Sequence, residues 1–369
     1  MNSGALAELI HLIPYHFNGK DDLANIFFVI ALVTYTLSSA IFILRFAWFR
    51  SAAYYEIIDN IGELTFFSAW AIAFMVLTSN VALIVSSAWW GGHPFAIVAY
   101  VMWWFVMAWN LCLLVWCFTV MIRRHKLYDQ RMPTSVIIPA VSVSTVGVTG
   151  ATVAAYAKGL SAHLAVPVII LGFNWVGIGF LLGLILYVYL FHSFLSQGWP
   201  APDQTATVFI LVGPMGQSAA GLSILGSAAS TYHRFADYNT GVFITGESAK
   251  SLATACTLLA LLLNGLGIIW LIFACYAMVE RALKKELRWT PAWNAIIFPN
   301  STLATSCVAF AIDMDSPAYT AIVAVFIICL TIVFLVNIVF TVMGIYKGEL
   351  LIVKEDWRVK KAMEEEKEA

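Results

Sequence analysis

The sequence predicts an all-α integral membrane protein with nine complete membrane spans, on three observations. Of the 369 residues, 61% are hydrophobic and only 11% are charged, whereas soluble domains carry roughly a quarter charged residues. The mean hydropathy is +0.86. Apolar runs long enough to cross a bilayer, at about 20 residues each, recur along the whole chain. A single transmembrane domain over residues 1–346, followed by a charged tail at 347–369, therefore explains the composition.

The spans can be placed in chain order from these apolar runs. Nine runs are long enough to cross a bilayer, and they cover residues 23–48, 61–87, 94–122, 133–157, 163–195, 205–232, 248–279, 291–312 and 317–346. Residues 1–13 are also compatible with a helix and end in a turn at Ile13-Pro14-Tyr15. They are too short to span a bilayer alone, so we interpret them as the end of a further, first span.

Odd-numbered and even-numbered spans differ in composition when the N-terminal fragment is counted as the first. The odd spans carry Ser and Thr residues, whereas the even spans are longer and richer in aliphatic or Trp residues. Hydroxyls are expected inside a bundle and long apolar helices against lipid. The pattern predicts five hairpins, each pairing an inner with an outer helix, around a central pore. The candidate pore-lining residues are Ser142, Thr145, Thr149, Gly213, Gly216, Gln217, Ser218, Asn300, Ser301, Thr302 and Thr305.

An alternative interpretation applies to each of these hydroxyls. Ser and Thr in membrane helices also bond to carbonyls of their own helix or join one helix to another. The prediction of a pore lining therefore rests on the whole set and on its clustering in the odd spans.

Three prolines, Pro139, Pro214 and Pro299, occupy matching places in three odd spans. A proline inside a helix removes one backbone N–H donor and pushes away the carbonyl four residues earlier. Such freed polarity is tolerated at membrane depth only inside protein or beside a water-filled cavity. The prolines predict kinked inner walls of one pathway, and hence a transporter or channel.

Phe298 directly precedes the last of these prolines. An aromatic ring beside a kink can close a pore by its size and by dewetting. The alternative is a core Phe without a special role, since the chain holds 25 of them.

Charged side chains are placed mainly outside the spans. No Lys or Arg lies in the middle of a predicted span, and the acidic residues Glu63, Glu247, Asp313 and Asp315 lie near predicted span ends. Carriers coupled to protons or cations normally need an ionisable group at depth. We therefore expect no carboxylate switch, and instead a neutral pathway whose hydroxyl and backbone donors replace part of an anion's hydration.

The basic residues predict the orientation. Sixteen of the 20 Lys and Arg residues follow even spans or lie in the tail, whereas Lys20, Lys158, Arg234 and Lys250 follow odd spans. Cytoplasmic loops carry the excess of basic residues. The C-terminal tail is thus predicted to be cytoplasmic, as is the N-terminus if the first helix is complete.

Other classes of function find little support. The six Cys residues lie within spans without a CxxC pair, so neither a disulfide nor a metal site is expected, and no cofactor is implied. The seven His residues are scattered, which argues against a membrane-embedded enzyme. The net charge of −1 does not imply nucleic acid as a partner.

The chain resembles the tellurite-resistance and dicarboxylate transporter family in four short motifs: Ser3-Gly4-Ala5, Pro14–Phe17, Val212–Gln217 and Ile297–Asn300. This family includes plant slow anion channels and fungal malate and sulfite transporters. The resemblance implies ten helices in five hairpins around a pore, a homotrimer with one pore per subunit, and a plasma-membrane location. It also implies that Phe298 occludes the pore. The family's first inner helix is complete, so we expect either a lost upstream exon or a truncated paralogue here.

Two stretches bear on the substrate. Gly213–Gln217 and Val101–Trp104 are similar to the fungal sulfite efflux pumps, which predicts sulfite export through the pore. A carrier for malate or related C4-dicarboxylates is the alternative, because Pro14–Phe17 and Ile297–Asn300 are similar to both branches.

Overall fold

The structure is a computed structural model that describes residues 1–125, 131–348 and 350. Within these residues, nine helical segments are long and apolar enough to cross a membrane, and they confirm the nine predicted spans. The α-helices are α1 Asn2–Leu12, α2 Lys20–Asp59, α3 Ile61–Asn80, α4 His93–Arg124, α5 Ile138–Tyr156, α6 Ala162–Gln197, α7 Val212–Ala229, α8 Arg234–Tyr238, α9 Gly246–Leu283, α10 Ile297–Asp313 and α11 Pro317–Tyr346. The predicted tail at 347–369 lies outside the described residues, apart from positions 347, 348 and 350.

Two helices, α3 and α9, begin at a side chain that caps their free N–H groups. The Asn60 side chain accepts hydrogen bonds from the backbone N–H groups of Gly62 and Glu63, at 2.9 and 3.4 Å. Thr245 and Ser248 form a reciprocal capping box at the start of α9. Such caps satisfy N–H groups that no carbonyl of the same helix can reach.

Five hairpins pair a buried helix with an exposed one. The pairs in contact are α1 with α2, α3 with α4, α5 with α6, α7 with α9, and α10 with α11. The first member of each pair joins a closed ring, because α1 contacts α3, α3 contacts α5, α5 contacts α7, α7 contacts α10, and α10 contacts α1. All residues in the most apolar stretch of the α5 span are buried, whereas only 11% of the residues in the most apolar stretch of the α2 span are buried. Hydroxyl content therefore correctly predicted which helices lie inside.

Helix α1 takes the fifth place in this ring, and its residues 3–10 are buried. Gly4 allows it to approach α3 closely, since a Cβ at this position would lie 2.6 Å from Val76 Cγ1. Asn80 Nδ2 donates a hydrogen bond to the Gly4 carbonyl at 3.0 Å. The N-terminal fragment thus forms part of the inner wall.

The three prolines lie in the first turn of α5, α7 and α10, which differs from the predicted kink inside a helix. A 3₁₀ segment precedes each of these helices, at Thr134–Ile137, Thr205–Leu211 and Pro291–Ile296. The first turn of an α-helix has no internal acceptor for its N–H groups, so a proline costs little there. The bend is therefore a change of helix type. The remaining long inner helix, α3, has no proline and ends in a π-helical turn at Val81–Val85.

Polar side chains of the outer helices bond to the inner helices. Trp103 Nε1 on α4 donates to the Val146 carbonyl on α5 at 2.9 Å. Asn264 Nδ2 on α9 donates to Ser306 Oγ on α10 at 2.6 Å. Hydrogen bonds of this kind hold membrane helices together because lipid offers no competing partner.

Candidate functional site

Two cavities share Phe298 as a wall. The wider one, here called the vestibule, has a volume of about 370 Å³ and lies among the N-terminal ends of the inner helices. Its lining is mainly apolar and includes Ile138, Ile210, Pro291 and Pro299. The second, here called the chamber, has a volume of about 20 Å³. The Phe298 side chain itself is buried, so its ring lies where the two cavities meet.

The chamber is more polar than the vestibule, and every helix of the inner ring contributes to it. Ala5 and Glu8 come from α1, and Val76 and Ser79 come from α3. Six of the eleven candidate pore-lining residues also line it, and they come from α5, α7 and α10: Thr145, Thr149, Gln217, Ser301, Thr302 and Thr305.

The other five candidates are buried but line neither cavity. Ser142 accepts a hydrogen bond from an asparagine of α4, and Asn300 Nδ2 donates to a carbonyl one turn earlier at 2.7 Å. The Gly213 carbonyl accepts a hydrogen bond from the Thr302 hydroxyl of α10 at 3.4 Å. A Cβ on Gly216 would lie 2.3 Å from that threonine hydroxyl, so this glycine brings α7 against α10. The Ser218 hydroxyl has no hydrogen-bond partner among the described residues.

Pro299 lines the vestibule, whereas Pro139 and Pro214 line neither cavity. Ile138 and Val141, beside Pro139, and Ile210, in the 3₁₀ segment ahead of Pro214, do line the vestibule. The change of helix type at each proline therefore shapes the wall, while the proline rings of α5 and α7 lie behind it.

Most hydroxyls of the chamber are already donors to their own helix. Thr145, Ser301 and Thr305 donate to backbone carbonyls three or four residues earlier, at 2.8, 2.6 and 2.9 Å. Gln217 Nε2 donates to Thr145 Oγ1 at 3.0 Å. The alternative interpretation, hydrogen bonding within the helix, therefore describes these hydroxyls, although their residues line the chamber.

Thr149 and Ser79 differ, because no hydrogen bond involves their hydroxyls among the described residues. Both side chains are buried and both line the chamber. A hydroxyl without an internal acceptor is free to donate to a bound anion. Sequence reasoning included Thr149 in the candidate set but missed Ser79, whose only signal was its place in an odd span.

Glu8 corrects the expectation that no carboxyl group lies at depth. Its side chain lines the chamber and is 9% exposed. No hydrogen bond or ion pair involves it among the described residues. Residues 1–13 are too short to span a bilayer alone, so no local signal in the sequence predicts that Glu8 is buried. Closure of the ring by α1 places it in the interior.

Comparison with known proteins gives a match over nearly the whole chain. The model of the voltage-dependent anion channel family matches residues 1–342. A Schizosaccharomyces pombe protein provisionally named a malic acid transport protein is 25% identical over 367 residues, covering 96% of this chain and 80% of the relative. A sulfite efflux pump of Arthroderma benhamiae is 20% identical over 342 residues, covering 93% of this chain and 88% of the pump. Identity this low does not by itself select a substrate.

Proposed function

We propose that this chain, which belongs to the voltage-dependent anion channel family, exports sulfite across the plasma membrane through a pathway closed by Phe298. In coarser terms the chain is a multi-pass membrane protein and an anion transporter or channel of that family. The identity of the anion, the role of Phe298 and the membrane in which it acts are the proposal.

The position of Phe298 between two cavities carries the proposal. The vestibule, at about 370 Å³, has room for a hydrated anion, because a water molecule in the liquid takes about 30 Å³. The chamber, at about 20 Å³, has room for about one water molecule by the measure in which 10–15 Å³ suffices for one. An anion therefore passes only when the Phe298 ring turns aside and the chamber widens.

Neutral donors favour anion passage over tight binding. The described residues that line the vestibule and the chamber include no Lys or Arg. Three donors can replace part of an anion's hydration: the hydroxyls of Thr149 and Ser79 and the second N–H of the Gln217 amide. Conduction requires binding that is weak enough for release, and a fixed cation would oppose release.

A small oxyanion such as sulfite is favoured over a four-carbon dicarboxylate, because the chamber, at about 20 Å³, has to widen less to admit a smaller anion. The Gly213–Gln217 stretch, similar to that of the sulfite efflux pumps, lies at the start of α7 and contributes Gln217 to the chamber. Malate is the second candidate, because the relative at 25% identity is named for malic acid transport.

Purified protein in liposomes tests the substrate. We expect labelled sulfite to leave protein-containing vesicles faster than protein-free ones, with little inhibition by malate. Uptake of labelled malate that sulfite does not reduce would support the malate alternative instead. If neither anion moves, both substrate assignments are refuted.

Expression in a sulfite-sensitive yeast tests the direction of transport. We expect increased sulfite tolerance, provided that surface labelling shows delivery to the plasma membrane. Unchanged sensitivity despite normal surface delivery would contradict sulfite export.

Orientation and assembly belong to the same proposal. The excess of basic residues after even spans puts the C-terminal tail, and the vestibule at the starts of the inner helices, on the cytoplasmic side. A tag on the tail should then bind antibody only after permeabilisation. We also propose a homotrimer, for which the mass of the detergent-solubilised complex should equal three chains.

A further inference from the structure

We propose that Glu8 is a proton-binding site that controls anion flux: an anion passes Phe298 when the Glu8 carboxyl is protonated and is held back when it is ionised. This inference rests on the proposed function, since it assumes that anions cross the chamber. It assigns a role to a residue outside the eleven predicted pore-lining positions, and it adds a dependence on pH.

The geometry places Glu8 directly on the pathway. Its side chain and the Phe298 ring line the same chamber of about 20 Å³. An anion that has passed Phe298 therefore lies within a few ångströms of the Glu8 carboxyl. In so small a space, the anion and a carboxylate cannot be separated by a layer of water.

No cation compensates Glu8 among the described residues. Tyr156 at the end of α5 is a titratable side chain that interacts electrostatically with it, and a phenol is neutral at physiological pH. A carboxylate at such depth without a cation or donor is costly, which makes proton binding a realistic event at this position.

Other charged and titratable groups near α1 are engaged away from the chamber. His11 lies 3.7 Å from Asp21, and the Lys20 ammonium donates to the Ile13 carbonyl at 2.8 Å. On α3, Glu63 pairs with Arg45 of α2. Three further groups near α1 are the Met1 amino group in the vestibule, Asp313 of α10, which accepts hydrogen bonds from Ser227 and Thr257, and Tyr319 of α11, which packs on Phe310.

Protonation changes the chamber in two ways. It removes a negative charge that repels the anion, and it adds an O–H donor that can bond to the anion. The proton comes from a hydronium ion: one O–H bond of hydronium breaks, an O–H bond to a carboxylate oxygen forms, and a water molecule is released. At separations of about 4 Å and the effective dielectric of a protein, the repulsion slows passage by roughly tenfold or more.

Nitrate flux from liposomes tests the proposal, because the charge of nitrate does not change with pH, unlike that of sulfite or malate. Between about pH 5 and pH 8, we expect wild-type flux to fall roughly tenfold or more as the pH rises. Glu8→Gln should conduct at the acidic wild-type level throughout this range. The matched control is Glu63→Gln, which removes a carboxylate outside the chamber and should keep the wild-type pH profile. Each variant is also measured in the Phe298→Ala background, where flux is larger.

A wild-type pH profile in Glu8→Gln would overturn the inference while leaving anion transport intact. Absence of nitrate, sulfite and malate flux in every variant and at every pH would refute the proposed function, and the inference with it. Infrared difference spectra of wild-type protein against Glu8→Gln give a readout that does not need transport. We expect a band of a protonated carboxylic acid that is lost over the same pH range as the flux, and a Glu8 already ionised throughout that range would contradict the proposal.

Discussion

Replacement of Phe298 by Ala removes the ring that separates the vestibule from the chamber. Phe298 is 4% exposed and lines both cavities. Its ring takes up roughly the space of three liquid water molecules, at about 30 Å³ each. The substitution should therefore join the two cavities into one continuous, hydrated path.

We expect the Phe298→Ala protein to conduct anions at least about tenfold faster, which corresponds to a barrier lowered by about 1.4 kcal/mol. It should also be less stable. A Phe→Ala change in a sealed core costs about 3–5 kcal/mol. Because this ring already borders two cavities, the loss of packing should lie near the lower value.

The assay is nitrate or sulfite flux from liposomes, normalised to the amount of inserted protein. Phe310→Ala is the matched control, since Phe310 is fully buried in the same helix, packs on Tyr319 at a ring-centroid distance of 5.3 Å, and lines neither cavity. It should lose stability without gaining flux. If the two variants conduct equally, or if Phe298→Ala conducts like the wild type, the assignment of Phe298 as the gate is wrong.

Two further predictions concern the contacts that hold the inner ring, and both are read from the thermal unfolding midpoint in detergent. Gly216→Ala should destabilise the protein by about 1–3 kcal/mol or more, because the new Cβ would lie 2.6 Å from a backbone nitrogen of α10. The control is Gly265→Ala, which has open space around the new Cβ and should not destabilise the protein. Equal unfolding midpoints of the two variants would contradict the close contact at Gly216. Trp103→Phe should cost about 1 kcal/mol for the lost hydrogen bond to α5. Trp104→Phe removes an N–H that has no partner among the described residues, so it should cost less, and the reverse order would refute the reasoning.

Much of the fold followed from local sequence. Run length predicted the nine spans, and the hydroxyl content of alternate spans predicted which helices are inner. Both signals are local, since the bilayer requires about 20 apolar residues per crossing and excludes most polar groups from the lipid face. The resemblance to a known family added the prediction that Phe298 occludes the pore, since composition alone did not distinguish it from other Phe residues.

The candidate site was only partly predictable. Thr145 and Thr149, four residues apart, share a helix face and line the chamber, whereas Ser142 bonds to α4 instead. A list of hydroxyls in one span does not say which face points inward, because that depends on the rotation of the helix against its neighbours. Similarly, the prolines predicted an irregular wall but not its form, a 3₁₀ segment leading into each α-helix.

The amino-acid sequence by itself determined that this chain crosses a membrane, how often its long segments do so, and which of them are polar enough to lie inside. Only the tertiary structure decided that Glu8 and Ser79 border the same small space as Phe298. The physical reason is that burial of these residues comes from contacts between helices far apart in the chain. Closure of the ring between α1, α3 and α10 makes an N-terminal segment too short to span a bilayer one of the five inner helices among the described residues.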